Sequence, residues 1–175
     1  MPKYNLELDP VSHISVEAIG QPGERVFYLQ GRQGNQIITL LVEKIQIQTL
    51  AIGIEQFLLE IAEQMPTLEP PSAEYDEMDM HLMPPFDPLF RVGELGLAYD
   101  ETRDRMCLVA REALIGQEDP EDLSVVRFWA SRTQMLILAR WCVELASRGR
   151  AICPQCGEPI DPAGHFCPKK NGHKH

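Results

Sequence analysis

The chain has 175 residues, of which 44% are hydrophobic, so it can form one core of ordinary size. Its net charge of −10 is uneven: residues 1–122 carry 8 Lys/Arg and 23 Asp/Glu (−15), and residues 123–175 carry 8 and 3 (+5). No stretch approaches the ~20 apolar residues that span a bilayer, and the start of the chain lacks the apolar run of a secretory signal. We therefore expect a cytoplasmic protein that does not enter the membrane.

Cysteine usage agrees with a reducing compartment. Three of the five cysteines crowd the C-terminus, whereas Cys107 and Cys142 stand alone in apolar patterns. A secreted disulfide scaffold would spread an even number of cysteines along the chain. The distribution predicts a metal site near the C-terminus and two buried thiols.

The first half of the chain predicts three strands followed by one helix. Period-two alternation and branched or aromatic residues predict strands at 13–19, 25–30 and 37–42. From Glu43 onward the period changes to that of a helix, which Pro66 ends. The apolar stripe of this helix consists of Ile47, Leu50, Ala51, Ile54, Leu58 and Ile61.

Residues 65–89 are acidic and rich in proline, and they separate the two halves. A segment of this length without regular structure is either functional or a linker. Methionine, leucine and phenylalanine side chains are interleaved with the acidic ones, which favours packing on the body. We expect an ordered crossover rather than a flexible tether.

The second half repeats the order of the first. Strands are predicted at 90–99, 105–114 and 123–129, with an acidic loop at 116–122. Ser131 then caps a helix and forms a capping box with Gln134, and Gly149 ends that helix. Its apolar stripe consists of Met135, Leu138, Ala139, Cys142, Leu145 and Ala146.

Three strands and a helix, occurring twice, predict an α+β fold in which an antiparallel sheet is backed by two helices. We divide the chain into an α+β body at 1–150, which includes the crossover, and a small C-terminal zinc knuckle at 151–175.

The C-terminal segment contains a full set of zinc ligands. Cys153 and Cys156, separated by two residues and followed by Gly157, are typical of a zinc knuckle, and His165 and Cys167 supply the second pair. A site with four protein ligands is closed, so the metal would be structural. His173 is an alternative to His165 as the fourth ligand, and we favour His165 because Cys167 closes the same turn.

Other candidate residues are the arginines of the last strand and helix and one isolated histidine. Arg127, Arg132, Arg140 and Arg148 are candidates for binding an anion; alternatively, they pair with the acidic first half. His81 lies among acidic residues that suit a divalent cation, although such a loop is usually only solvated. No phosphate-binding loop and no nucleophile elbow occurs in the sequence.

The C-terminal run CPQCGEPIDPAGHFCPKKNG, together with the segments FRVGELGLAYD and RFWASRTQM, resembles the bacterial domain-of-unknown-function family 3090, which is commonest in actinobacteria. The resemblance covers essentially the whole chain. It implies a cytosolic protein with a zinc knuckle, and it carries over Cys153, Cys156, His165 and Cys167 as presumed ligands. It carries over no catalytic residue. The ending Gly172–His175 departs from the family's usual one, which disfavours His173 as a ligand.

These observations favour a zinc-stabilised binding or adaptor protein with a protein partner. One alternative is an enzyme acting on a phosphorylated small molecule or nucleotide, in which Arg127 and Arg132 bind phosphate and Glu94 or Asp100 is the acid–base group. A second alternative is nucleic-acid binding by the basic C-terminal third. The sequence does not define the substrate, the partner or the oligomeric state.

Overall fold

The computed structural model describes residues 4–21, 23–116, 119–148 and 154–155. The order of its elements confirms the α+β class, with three strands and a helix occurring twice, and adds one short strand before them. The elements are β1 (Asn5–Leu8), β2 (His13–Ile19), β3 (Val26–Gln33), β4 (Gln36–Val42), α1 (Lys44–Gln64), β5 (Val92–Asp100), β6 (Arg105–Glu112), β7 (Val125–Ala130) and α2 (Arg132–Ser147).

The strands of these residues form two sheets instead of the one that the sequence predicts. Strands β2, β3 and β4 form an antiparallel meander, and β5, β6 and β7 form a second one. Strand β1 joins the second sheet by pairing in parallel with β7. A strand of four residues carries too little pattern to be recognised, and its partner lies far away in sequence.

Backbone hydrogen bonds join the two sheets at two corners. At one corner Val11 N donates to Trp129 O at 2.8 Å, and Ser12 N donates to Arg32 O at 2.7 Å. At the other, Leu41 N donates to Phe90 O at 3.0 Å just before the chain enters β5. Each corner segment therefore pairs with one sheet and continues into the other.

The inner faces of the sheets meet at a close contact between Gly31 and Phe128. A Cβ atom on Gly31 would lie within 3.0 Å of the Phe128 ring, and that ring has no exposed surface. Only glycine allows the backbone of β3 to approach the ring so closely. This contact fixes the separation of the sheets in the core.

The two helices pack against each other; α2 also packs against β2 of the first sheet, and α1 packs against β5 of the second. Trp141 of α2 is buried, and its Nε1 donates to the main-chain oxygen of Val16 at 2.7 Å. Helix α2 begins with the predicted capping box: Ser131 Oγ accepts from Gln134 N at 3.0 Å, and Gln134 Oε1 accepts from Ser131 N at 2.9 Å. Helix α1 is long and apolar enough to cross a membrane by length and composition alone, which for one helix is weak evidence.

The crossover at 65–89 lies along the outer face of the first sheet. Gln30 of β3 donates through Nε2 to Met83 O at 2.9 Å and accepts from Met83 N at 3.0 Å. Ser15 Oγ donates to Met80 O at 2.6 Å, and the ring of Phe86 stacks on Tyr28 at 5.5 Å. These contacts anchor the second half of the crossover to the sheet.

The predicted zinc ligands Cys153, Cys156, His165 and Cys167 lie outside the described residues, as does Gly149, the predicted end of α2. Between the first two ligands, Pro154 and Gln155 form an exposed turn. The zinc site and the domain boundary after residue 150 therefore stay predictions.

Candidate functional site

Arg132 is the most enclosed of the four candidate anion-binding arginines. Its Nε and Nη2 donate to the two carboxylate oxygens of Asp104 at 2.7 and 3.0 Å, and its Nη1 donates to Glu69 O at 2.8 Å. Tyr99 OH also donates to Asp104, at 2.6 Å. The hydrogen bonds from Arg132 hold the pKa of Asp104 below its usual value, and burial with the Asp104 hydrogen bond raises the pKa of Tyr99 to about 12.

Asp104 is a structural residue that the sequence pattern did not identify. Its φ of 49° lies in the left-handed region, which aspartate tolerates better than most residues. This conformation occurs in the turn between β5 and β6, and it presents the carboxylate to the first turn of α2. The network thus joins the second sheet to α2. It also uses all three guanidinium nitrogens of Arg132 as donors.

The other three arginines also have partners. Arg140 donates through Nε to Glu55 at 2.8 Å, which connects α2 to α1. Arg148 binds Glu144 and Glu77 and lies over the ring of Trp141. Arg127 donates to the side chain of Asn5 at 3.0 Å. Glu55, Glu77 and Asp104 belong to the acidic first half of the chain, so these pairs are of the kind expected if the arginines pair with that half. Anion binding by the four arginines stays a prediction.

The candidates for acid–base chemistry lie apart from one another. Asp100 accepts from Thr102 and from Arg103, and these hydrogen bonds lower its pKa to about 2. Glu94 lies in the middle of β5, away from the Arg132 network, and lines a different recess. Among the residues that the structure describes, Glu94 therefore does not share a recess with Arg127 or Arg132, and the enzyme hypothesis stays a prediction.

The candidate His81 contacts a carboxylate group, and His13 of β2 contacts a main-chain oxygen. His81 Nδ1 lies 2.9 Å from Glu17 Oε1, and His13 Nε2 contacts Asp79 O. Burial lowers the pKa of His13. Within the described part of the chain, no group of three or more His, Cys, Asp or Glu residues is arranged to hold a metal ion.

A groove lies between α1 and β5, the end strand of its sheet. Among the described residues, strand β5 is the last strand of its sheet and pairs with β6 alone. The groove has a volume of about 530 Å³. It is lined by Ile45, Gln46, Thr49, Leu50, Gly53, Phe57, Gly93, Glu94, Leu95, Gly96 and Leu97.

The edge of β5 has some of the features that protect an edge strand and lacks others: it carries a β-bulge between Val92 and Glu94 and α1 packs beside it, but the strand is long and has few charges. Natural edges carry lysine, proline or several charges, or they are very short. Strand β5 has nine residues, VGELGLAYD, and Glu94 is the single charged residue among those that line the groove. Gln46 Nε2 donates to Val92 O at 2.9 Å, which closes one end of the edge. A Cβ atom on Gly96 would meet nothing within 4 Å, so the face of the strand is open at this position.

Helix α1 presents a second, exposed apolar stripe, of which Ile45 lines this groove. Ile45, Ile52 and Leu59 are 66%, 60% and 66% exposed, and they are spaced by seven residues. This spacing places them on one helical face. Sequence analysis found the buried stripe of α1 and missed this one, although a count of heptad positions would have detected it.

Comparison with known proteins agrees with the resemblance noted in the sequence. No curated protein and no solved structure gives a significant match. A family model described as "Protein of unknown function" matches residues 6–167, which is nearly the whole chain. The chain therefore belongs to the family of proteins of unknown function DUF3090.

Proposed function

We propose that this protein is a cytoplasmic, non-enzymatic binding protein that accepts an extended segment of a protein partner along the edge of β5. The observation that carries this proposal is the β5 edge, which has no strand on its outer side in the described part of the chain and borders a mainly apolar groove shared with α1. A peptide added to a free edge gains main-chain hydrogen bonds, and its alternate side chains are read by the neighbouring surface. The buried thiols Cys107 and Cys142, which form no disulfide, support the cytoplasmic location.

The charges around the groove favour a partner segment that is apolar and basic. Glu94 is the charge that lines the groove, and residues 1–122 carry a charge of −15 (8 Lys/Arg against 23 Asp/Glu). Half-buried Leu95 and Leu97 and exposed Ile45 offer apolar contacts. A second copy of the chain fits less well, because it would bring another Glu94 and another acidic body to the same edge.

The test uses a synthetic peptide of alternating valine and lysine, with a valine–glutamate peptide for comparison. We expect the basic peptide to bind and to slow hydrogen exchange at the outward amides of β5, because these amides gain hydrogen-bond partners. The acidic peptide should not bind. Absence of protection at β5, or equal binding of both peptides, would refute the proposal.

Two substitutions test the groove, and one is a matched control. Ile45→Asp places a charge on an exposed groove residue in the first turn of α1, where an acidic group suits the helix dipole. We expect roughly tenfold weaker peptide binding with an unchanged fold. Glu94→Lys should weaken binding of the basic peptide and permit the acidic one. Val143→Asp alters a 53% exposed apolar residue of α2 outside the groove, and it should change neither.

Sedimentation equilibrium tests whether a second copy of the chain, rather than a different protein, binds at the β5 edge. A protein that dimerises with its β5 amides already protected would show that the edge is an interface between identical chains. That result would overturn the proposal of a basic protein partner. A monomer with exchanging β5 amides is the expected outcome.

We also propose that the C-terminal segment holds one structural zinc through Cys153, Cys156, His165 and Cys167. Three thiolates and one imidazole within fifteen residues, 153–167, match the donor set of closed zinc sites. Metal analysis should give one zinc per chain. His165→Ala should lower that content, whereas His173→Ala should retain it; the opposite result would assign the fourth ligand to His173.

A further inference from the structure

A second recess lies on the other side of the helix pair, away from the β5 edge. It is formed by the C-terminal half of α1, the turn that follows it and the N-terminal half of α2, and its volume is about 580 Å³. Sites for small organic molecules have volumes of about 300–1,000 Å³ and are mainly apolar. The apolar lining consists of Leu58, Leu59, Ile61, Ala62, Met65, Pro66, Leu68, Pro70, Pro71 and Leu136.

Four charged residues complete the lining: Glu55, Glu69, Arg132 and Arg140. The two arginines differ in how many of their nitrogens already donate hydrogen bonds. Arg132 uses Nε, Nη1 and Nη2 on Asp104 and on the main chain of Glu69. Arg140 donates only through Nε, to Glu55. Within the described part of the chain, both terminal nitrogens of Arg140 are without a hydrogen-bond acceptor.

A guanidinium with two unused terminal nitrogens suits a planar anion. These nitrogens form a fork that binds the two oxygens of a carboxylate in parallel. Glu55 holds the other side of the guanidinium and so fixes its orientation, at the cost of some repulsion toward an incoming anion. The remaining lining is apolar and would contact a hydrocarbon body.

We propose that this cavity binds a small amphiphilic carboxylate, with its apolar part against α1 and the proline turn and its carboxylate on Arg140. The site is separate from the β5 groove and does not depend on it. None of the residues that line the groove lines this cavity.

The probe is decanoate, compared with decanol and with decyltrimethylammonium, all below their micellar concentrations. Calorimetric titration of the full-length protein should show decanoate binding more tightly than decanol and much more tightly than the cation. The methyl resonance of Met65, which lines the cavity, should shift on titration. Equal affinity for the three probes, no measurable binding, or an unchanged Met65 resonance would overturn the proposal.

Two variants separate the roles of the cavity and the arginine. Ala62→Trp fills the cavity from an exposed helical position, so the fold should persist and decanoate binding should be lost. Arg140→Gln should weaken decanoate roughly tenfold or more and leave decanol unchanged, because a charge-assisted hydrogen bond is lost. Val143→Trp adds the same side chain to α2 outside the cavity, and it should bind decanoate normally.

A cross-test keeps the two proposals distinguishable. Ile45→Asp should weaken peptide binding at β5 roughly tenfold and retain decanoate, whereas Ala62→Trp should lose decanoate and retain the peptide. Loss of decanoate binding in Ile45→Asp would place the probe in the groove and overturn the cavity assignment.

Discussion

Replacement of Gly31 by alanine should destabilise the protein, because the two sheets approach each other most closely there. The added Cβ would lie within 3.0 Å of Cδ1 and Cε1 of Phe128 and 3.4 Å from Cγ. Carbon atoms normally pack at about 3.5–4.0 Å. Phe128 has no exposed surface, so its ring has no free space into which to move.

The size of the effect follows from two opposing terms. Overpacking of a dense core costs about 1–3 kcal/mol. The φ of Gly31 is not in the left-handed region, so the lower entropy of the unfolded alanine chain offsets about 0.4–1 kcal/mol of that cost. We expect a net loss of about 1–2 kcal/mol in the free energy of unfolding. For a chain of this size that corresponds to a melting temperature lower by roughly 2–8 °C.

Urea unfolding followed by tryptophan fluorescence measures the change, with Gly96→Ala as the matched control. A Cβ on Gly96 meets nothing within 4 Å, so that variant should be neutral or slightly more stable. Phe128→Leu combined with Gly31→Ala should recover part of the loss, which a double-mutant cycle would show as coupling. If Gly31→Ala were as stable as Gly96→Ala, the close approach of the sheets would be wrong.

Three further predictions concern buried groups. Trp141→Phe removes the donor to Val16 O and should cost about 1–3 kcal/mol in urea unfolding, since a buried carbonyl loses its partner; an unchanged midpoint would contradict that hydrogen bond. Arg132 lowers the folded pKa of Asp104, so its stabilisation should be fully present above about pH 4 and be lost as the pH falls through the folded pKa. Asp104→Asn should therefore show a weaker decline of stability on acidification, and an unaltered pH profile would count against the pair. Cys142 is fully buried with its pKa raised to about 12, so it should resist thiol reagents until the protein unfolds; rapid labelling of the folded protein would argue against its burial.

Local pattern alone was enough to predict most of the secondary structure. The buried stripe of α1 from Ile47 to Ile61 and the capping box of α2 at Ser131 were both evident, because helical period and capping chemistry act within a few residues. The strands β2 to β7 were recognisable from alternation and turn residues for the same reason. The family was recognisable too, from short runs such as FRVGELGLAYD.

Tertiary structure decided everything that depends on which elements become neighbours. Strand β1 pairs with β7 across some 120 residues, and no local pattern specifies that parallel partner. The same is true of Asp104, which acquires its role only because the β5–β6 turn meets Arg132. Both proposed sites arise in this way. Strand β5 is an edge because the order of its sheet ends there. Among the described residues, Glu55 of α1 accepts from Arg140 Nε and leaves the terminal nitrogens of Arg140 without an acceptor.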